Sequence, residues 1–294
     1  MLNNFKTFVF LAALTALFGG LGYLIGGGQG MVVALAIAAV MNIAGWWYSD
    51  RLVLTLYGAK PIRMGAVYEI TREVAKKAGI PTPRLYLIEQ AQPNAFATGR
   101  NPQRGAVAVT TGLLDLLSPR ELKAVIAHEI AHIKNRDTLT MTVAATIAGA
   151  VSMLANFIAL LAGRGGRGNG FTAFVAVIIA PVAAMLVQMA VSRTREYEAD
   201  RLGAKLCGDP MALASALQRL EMVSKHVDNE TAENHPATAH MFIVNPLHVQ
   251  AIGYLFSTHP PVQKRIRALR HFSERGTGRS DRHDIGLPRG TRSA

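Results

Sequence analysis

The chain has 294 residues, half of them apolar, with a positive mean hydropathy and a formal net charge of +12. That size carries one or two domains with a substantial core, and the single cysteine, Cys207, excludes an internal disulfide framework. The basic residues flank apolar segments, so anionic lipid headgroups are the expected partner and nucleic acid is not; no G-x-x-x-x-G-K-[ST] loop and no RNA-binding aromatic pattern is present.

The first apolar run covers about residues 8–25 and the second about 31–48, joined by a short uncharged turn around Gly26, Gly27 and Gly28. Each is long enough for a membrane helix. A cleaved signal peptide is the competing reading of the first run, but a second span follows it almost at once. Trp46, Trp47 and Tyr48 suit the headgroup level at the far end. Residues 1–50 therefore read as a transmembrane hairpin.

Residues 51–137 are polar in character, with thirteen Lys/Arg against seven Asp/Glu. Met64, Val67, Ile70, Val74 and Ala78 form a helical stripe that ends at Gly79 and Pro81. Arg84 to Ile88, Pro93 to Gly99 and Gly105 to Thr110 read as three strands of a small sheet, with a turn from Arg100 to Arg104. The strand at Asn94, Ala95, Phe96 and Ala97 is either an edge able to pair with an extended peptide or an ordinary structural hairpin.

Next comes His128-Glu129-Ile130-Ala131-His132, an H-E-x-x-H pattern within an apolar-periodic helix. Ser118 is the expected N-cap, Pro119 the first helical residue, and Glu121 completes a capping box. Residues four apart share a helix face, so His128 and His132 can converge on one metal ion. Glu129 sits beside them as a proton acceptor for an attacking water, which is the physical content of the zinc-hydrolase motif. A chance pattern on an amphipathic helix is the alternative for the motif alone.

Two further apolar runs follow at about 138–162 and 171–191, separated by a Gly-rich loop holding Arg164 and Arg167. They read as a second transmembrane hairpin; partial entry into the bilayer is the alternative. The positive-inside rule puts both termini and both polar segments in the cytoplasm, although Arg164 and Arg167 then lie on the far side.

A catalytic zinc needs a third protein ligand and an open position. Glu196, Glu198, Asp200 and the histidines at 226, 235, 240, 248 and 259 are candidates. Glu196 follows the fourth run as the motif helix precedes the third, so two adjacent membrane helices would bring the two elements together. That favours Glu196 as the ligand. Asp200, one turn on, is placed to accept the second ring N–H of a ligating histidine. The alternative is a solvated helix face paired with Arg193, Arg195 or Arg201. Residues 192–272 complete the polar part, with an irregular stretch from Val227 to about Asn245 and a basic helix through Ile266 and Leu269. Residues 273–294 form a Gly/Arg/Ser-rich tail expected to be disordered.

Four separated motifs together resemble the HtpX-type membrane zinc metalloproteases, relatives of the CaaX prenyl proteases. They are the Pro93-Asn94-Ala95-Phe96-Ala97-Thr98-Gly99 strand, the His128 to His132 helix, Ser192-Arg193-Thr194-Arg195-Glu196-Tyr197-Glu198-Ala199-Asp200, and Thr258-His259-Pro260-Pro261 with Arg265-Ile266. The resemblance covers about residues 1–272. It implies a mainly α membrane protein: four transmembrane helices plus a cytoplasmic α+β zincin-type catalytic domain with a small β-sheet. It also implies an endopeptidase of the bacterial inner membrane that acts on misfolded or damaged membrane proteins under stress, with one zinc per chain. The implied ligands are His128, His132 and Glu196, and the implied general base is Glu129. The strand Asn94, Ala95, Phe96 and Ala97 would align substrate. His259 is either an oxyanion donor or a structural cap beside Pro260.

Overall fold

The structure is a computed structural model that describes residues 2–139, 141, 193–224, 243 and 260–280. The described part is helix-rich with one small mixed sheet. Of the third and fourth apolar runs only Thr138, Leu139 and Met141 fall among the described residues, and His259 falls outside them. Among the described residues no helix is long and apolar enough to cross a membrane.

Helix α1 covers Leu2–Leu56 and is broken by non-helical backbone at Gly26 and Gly27, the latter with φ 59°. Two arms therefore fold back on each other at the expected turn. Gly22 and Gly30 face across the hairpin so closely that a Cβ on either would strike the other's carbonyl oxygen. The second arm extends to Leu56, beyond the aromatic residues at 46–48, and its end docks on the sheet. Arg84 bonds Asp50 at 2.8 Å, and Tyr57 packs on Phe96 with ring centroids 5.7 Å apart. The Arg100 guanidinium lies 4.1 Å over the Trp47 ring, a cation–π contact.

The sheet comprises β1 (Lys60–Ile62), β2 (Arg84–Ile88), β3 (Ala95–Thr98) and β4 (Ala106–Thr110) in the order β1-β2-β4-β3. β2 and β4 are parallel; β1 and β3 pair antiparallel to them. The three expected strands are present, with a 3-10 turn at Pro102–Arg104 between β3 and β4. β1 was not foreseen, because a three-residue strand containing Pro61 has no periodicity to read. Side chains alternate across the sheet. Phe96, Ala106 and Ala108 join Val53 and Leu54 of α1 and Tyr57 just beyond it, while Ala95, Ala97, Val107 and Val109 face the main core on the other side.

Helix α2 (Ala66–Ala78) ends at Gly79 in the left-handed conformation, as expected. Helix α3 (Thr111–Leu116) leads into α4 (Pro119–Asn135), the motif helix. Its capping box forms as the sequence predicts: Ser118 accepts from the Glu121 N–H while Glu121 Oε2 accepts from the Ser118 N–H at 3.0 Å. Helix α5 is Arg193–Cys207, α6 is Pro210–Ser224 and α7 is Val262–Ser280. α7 runs past Ser273, where the irregular tail was expected to begin. Each added residue of a nucleated helix supplies one hydrogen bond, which offsets the cost of about 1 kcal/mol for each of Gly276 and Gly278. Helix α4 is the hub, packed on α5, α2, α6 and β3.

Helices α5 and α4 approach each other closely in this core. A Cβ on Gly203 would lie 2.9 Å from both the Cα and the backbone nitrogen of His128. Gly203→Ala is therefore expected to push α5 away from α4 and lower stability by about 1–3 kcal/mol. Because Glu196 and Asp200 ride on α5, metal affinity should fall as well. Thermal melts and metal titration check both; unchanged values would show that the two helices separate freely.

Candidate metal centre

Helix α4 is buried on every side from Ala124 to Ile133, and its Ile126, Ile130 and Ile133 side belongs to the main core. His128, Glu129 and His132 are buried at 1, 4 and 4% exposure on the side away from those isoleucines. Glu196, in the first turn of α5, meets them at 1% exposure.

The three expected ligands converge. His128 Nε2 and His132 Nε2 are 3.2 Å apart. His132 Nε2 is 3.4 Å from Glu196 Oε1, and His128 Nε2 is 3.8 Å from Glu196 Oε2. Two nitrogens and a carboxylate oxygen about 2.1 Å from a tetrahedral ion would sit roughly 3.3–3.4 Å from one another. The donor set and its spacing thus fit a zinc-sized dication, and the remaining corner is not filled by any of the three. Among the described residues His128, His132 and Glu196 are the group able to hold a metal ion.

Each histidine has a carboxylate behind it. His128 Nδ1 is 3.0 Å from Asp200 Oδ1, close enough for a charge contact but not aligned as the ring N–H donation expected of this pair. His132 Nδ1 bonds Asp137 Oδ2 at 3.1 Å. Asp137 was missed. Arg136 closes α4 with φ 60° and turns the chain back, which carries Asp137 to His132. An acid five residues past the second histidine, just beyond the helix end, was the available signal.

Arg265 of α7 is the other residue the sequence did not single out as functional. It is fully buried and grips Asp200 with two bonds, Nε to Oδ2 at 2.8 Å and Nη2 to Oδ1 at 2.7 Å. Its Nη2 also lies 3.4 Å from His128 Nε2, and its Nη1 3.6 Å from Glu196 Oε2. The bidentate fork fixes the carboxylate that in turn orients His128. The burial of Glu196 and Asp200 overturns the alternative of a solvated helix face. Arg195 is buried too, and neither Nη1 nor Nη2 is hydrogen-bonded.

The electrostatics follow from this packing. Burial, reinforced by the Glu196 charge, pushes Glu129 up to about 8, against the pull of His132. The backbone of Ala97 in β3 bonds its carboxylate. Burial pushes His128 down. Burial opposes the charged form of His132 as well, but the bonds to Asp137 and Glu196 win and raise it to about 10. Burial would raise Asp200, yet the Arg265 charge and hydrogen bonds outweigh it and hold Asp200 at about 2. A carboxyl depressed from 3.8 contributes stability that is present above pH 4 and lost as the pH falls through 2. Its size is on the order of 2 kcal/mol. Asp200→Asn should therefore flatten the acid limb of the stability curve between pH 4 and 2. Denaturant melts across that window check it, and an unchanged limb would assign acid sensitivity to other groups.

Of the remaining candidates, Asn94, Ala95 and Ala97 lie at the edge of the sheet beside the centre, with the backbone of Ala97 reaching Glu129. The Phe96 side chain points to the opposite face, under α1.

Comparison with known proteins places this arrangement. The crystal structure of S. mikatae Ste24p superposes on 88% of this chain and 62% of its own, with a TM-score of 0.50 and 18% sequence identity. That likeness is one of fold, and the chain spans about 62% of the length of the Ste24p chain. The sequence profile of Peptidase family M48 matches residues 61–273, from β1 into α7, and so includes every residue of the centre. By that match over most of its length, the chain belongs to peptidase family M48.

Proposed function

We propose that the chain is a membrane-anchored zinc endopeptidase that hydrolyses peptide bonds in misfolded or damaged membrane proteins. The observation that carries the reading is the convergence of the two Nε2 atoms, 3.2 Å apart, on Glu196. When bound, zinc supplies Lewis-acid charge that polarises the scissile carbonyl and makes water acidic enough to react.

The chain's own residues do the rest. Glu129, buried beside the metal position, takes a proton from the attacking water and hands it to the leaving amine. Asp200 and Asp137 hold the two imidazoles with Nε2 pointing inward. The edge strand through Asn94, Ala95, Phe96 and Ala97 offers main-chain groups to an extended substrate, with Ala97 fixing the distance between that strand and Glu129. His259, three residues before Val262 at the start of α7, is a candidate donor to the oxyanion.

Membrane anchoring is supported by the sequence and by the second arm of α1. Val32, Val33, Val40 and Ile43 are each about 60% exposed there or more, an apolar surface suited to lipid. The bacterial inner membrane, cytoplasmic termini and the role in stress rest on the resemblance and on the charge asymmetry.

The test is casein cleavage by the detergent-purified chain, with and without a zinc chelator. Cleavage is expected to stop on chelation and return with added zinc. Cleavage indifferent to the chelator would sink the reading.

A further inference from the structure

A cavity of about 440 Å³ lies between α5 and α7, and of the residues of the metal centre only Asp200 lines it. Its size falls in the range of small-ligand sites. Tyr197 and Arg201 stand four apart on α5, and Ala268, Phe272 and Arg275 follow at helical spacing on α7, so each helix turns one stripe into the cavity. The floor is apolar: Leu269 is buried and Phe272 half-buried. The rim is basic, with Arg201 on one wall and His271 and Arg275 on the other, all exposed. Lys205 adds a fourth basic group, its Nζ 6.0 Å over the Phe272 ring. Against these stand Glu198 on the rim, Glu274 at 3.5 Å from His271, and Asp200, whose charge Arg265 already holds at 2.7 Å.

The sequence offers Arg201 as a partner for Glu196 or Asp200, but Arg265 takes Asp200 and Glu196 turns to the histidines. Among the described residues neither Arg201 nor Arg275 makes a hydrogen bond or ion pair, whereas Arg84 finds Asp50 and Arg120 finds Asp209. Two unpaired guanidinium groups on opposite walls, above an apolar floor, suit an anion that carries an apolar part; guanidinium matches phosphate oxygens with paired bonds. Position selects among such amphiphiles. Helix α5 begins at Arg193, two residues past the end of the fourth apolar run at about 191, and Thr194 lines the near end of the cavity. Arg201 is seven residues on, at most about 10 Å further from the bilayer. The headgroup layer is about 5–7 Å thick, and a long arginine side chain spans the difference.

We propose that this cavity binds one anionic phospholipid, its phosphate between Arg201 and Arg275 and the start of an acyl chain over Leu269 and Phe272. The Tyr197 hydroxyl offers a further donor on the α5 wall. The proposal rests on the membrane-anchored reading above and not on the peptidase chemistry. A zwitterionic lipid carries the same phosphate, but its ammonium cancels the charge and meets the same basic rim. Free phosphate carries the charge and leaves the floor uncovered. The site therefore favours a net-negative lipid over both, by about tenfold or more for two arginines near a membrane surface.

The experiment titrates three probes into the full-length zinc-loaded chain in an uncharged detergent, with binding read by calorimetry. They are dihexanoyl phosphatidylglycerol and dihexanoyl phosphatidylcholine, both below micelle-forming concentration, and inorganic phosphate. The glycerol lipid should saturate one site and bind at least about tenfold tighter than either of the others. Arg201→Gln combined with Arg275→Gln, both at exposed positions, should abolish that preference while zinc content and melting temperature stay at the parent's level. Equal binding of the two lipids overturns the proposal, because it marks simple partition onto apolar surface. A preference that survives in the double variant overturns it by placing the lipid elsewhere. Phosphate bound as tightly as the lipid overturns it by making the site one for free anions. Should the double variant fail to fold, the three titrations of the parent decide. No cleavage is involved, so loss of the peptidase reading leaves the result standing. Anchoring is read separately, from whether the parent sediments with membranes until detergent releases it.

Discussion

Replacing Glu129 by glutamine is expected to lower peptide-bond cleavage by about 10²–10⁴-fold, the usual contribution of a positioned general base, while metal content stays at the parent's level. Glu129 does not belong to the group of His128, His132 and Glu196 that converges on the metal position. The amide keeps the size of the carboxyl and can still meet the backbone of Ala97. The same change should raise stability in the chelated protein. A buried carboxyl with its folded value pushed up to about 8, against 4.5 in the unfolded chain, destabilises the fold increasingly as pH rises from 4.5 toward 8. Glutamine titrates nowhere in that range. The chelated variant should therefore melt above the chelated parent, with a gap that widens from pH 5 to pH 8. Elemental analysis, a cleavage assay and melts at several pH values read the three effects separately. A variant that cleaves like the parent removes Glu129 from the chemistry. A gap that closes as pH rises shows that Glu129 stays ionised in its pocket. Loss of activity together with gain of stability is the pattern of a residue held in place for function.

What the sequence made readable was whatever depends on local spacing. The four-residue interval between His128 and His132 puts both on one helix face, and Ser118 with Glu121 closes the capping box, whatever the rest of the chain does. The three strands were readable because alternation and turn residues are local too. Glu196 required the further step of asking where α5 begins relative to α4. The partners that lie far apart in sequence or depend on one backbone angle were harder. Arg265 comes 65 residues after Asp200, and nothing in a basic amphipathic helix marks which arginine turns inward. Asp137 reaches His132 only because Arg136 adopts a left-handed conformation that sequence propensity assigns to glycine or asparagine. Gly203 reads as a weak point in α5 until the backbone of His128 is seen behind it. Ile243 sits in the short apolar run Met241-Phe242-Ile243-Val244, and nothing local marks which of the four reaches Asn94 and Arg265.

Glu196→Ala should do the opposite of Glu129→Gln on every readout but activity. It removes a donor from a three-ligand set, and metal affinity is expected to fall more than the 10–100-fold typical of losing a residue behind a ligand. It also removes the negative charge that lies 3.4 Å from His132 and 3.6 Å from Arg265. Arg265 keeps its bidentate grip on Asp200, so its charge is only partly uncompensated, and the cost in the chelated protein should fall at or below the 3–5 kcal/mol seen when a buried pair loses one member. His132 loses one of the contacts that raise it and retains Asp137. Glu196→Gln separates the two effects. It restores volume and hydrogen bonding while removing charge, so it should recover part of the stability and little of the metal. Zinc by elemental analysis and melts of the chelated protein distinguish the cases. Full zinc occupancy in Glu196→Ala would assign the third ligand to another residue, and the spacing of His128, His132 and Glu196 would then be a structural ion-pair network. Two carboxylates buried within one centre, one whose loss stabilises and spares the metal and one whose loss destabilises and releases it, are what division of labour between base and ligand predicts.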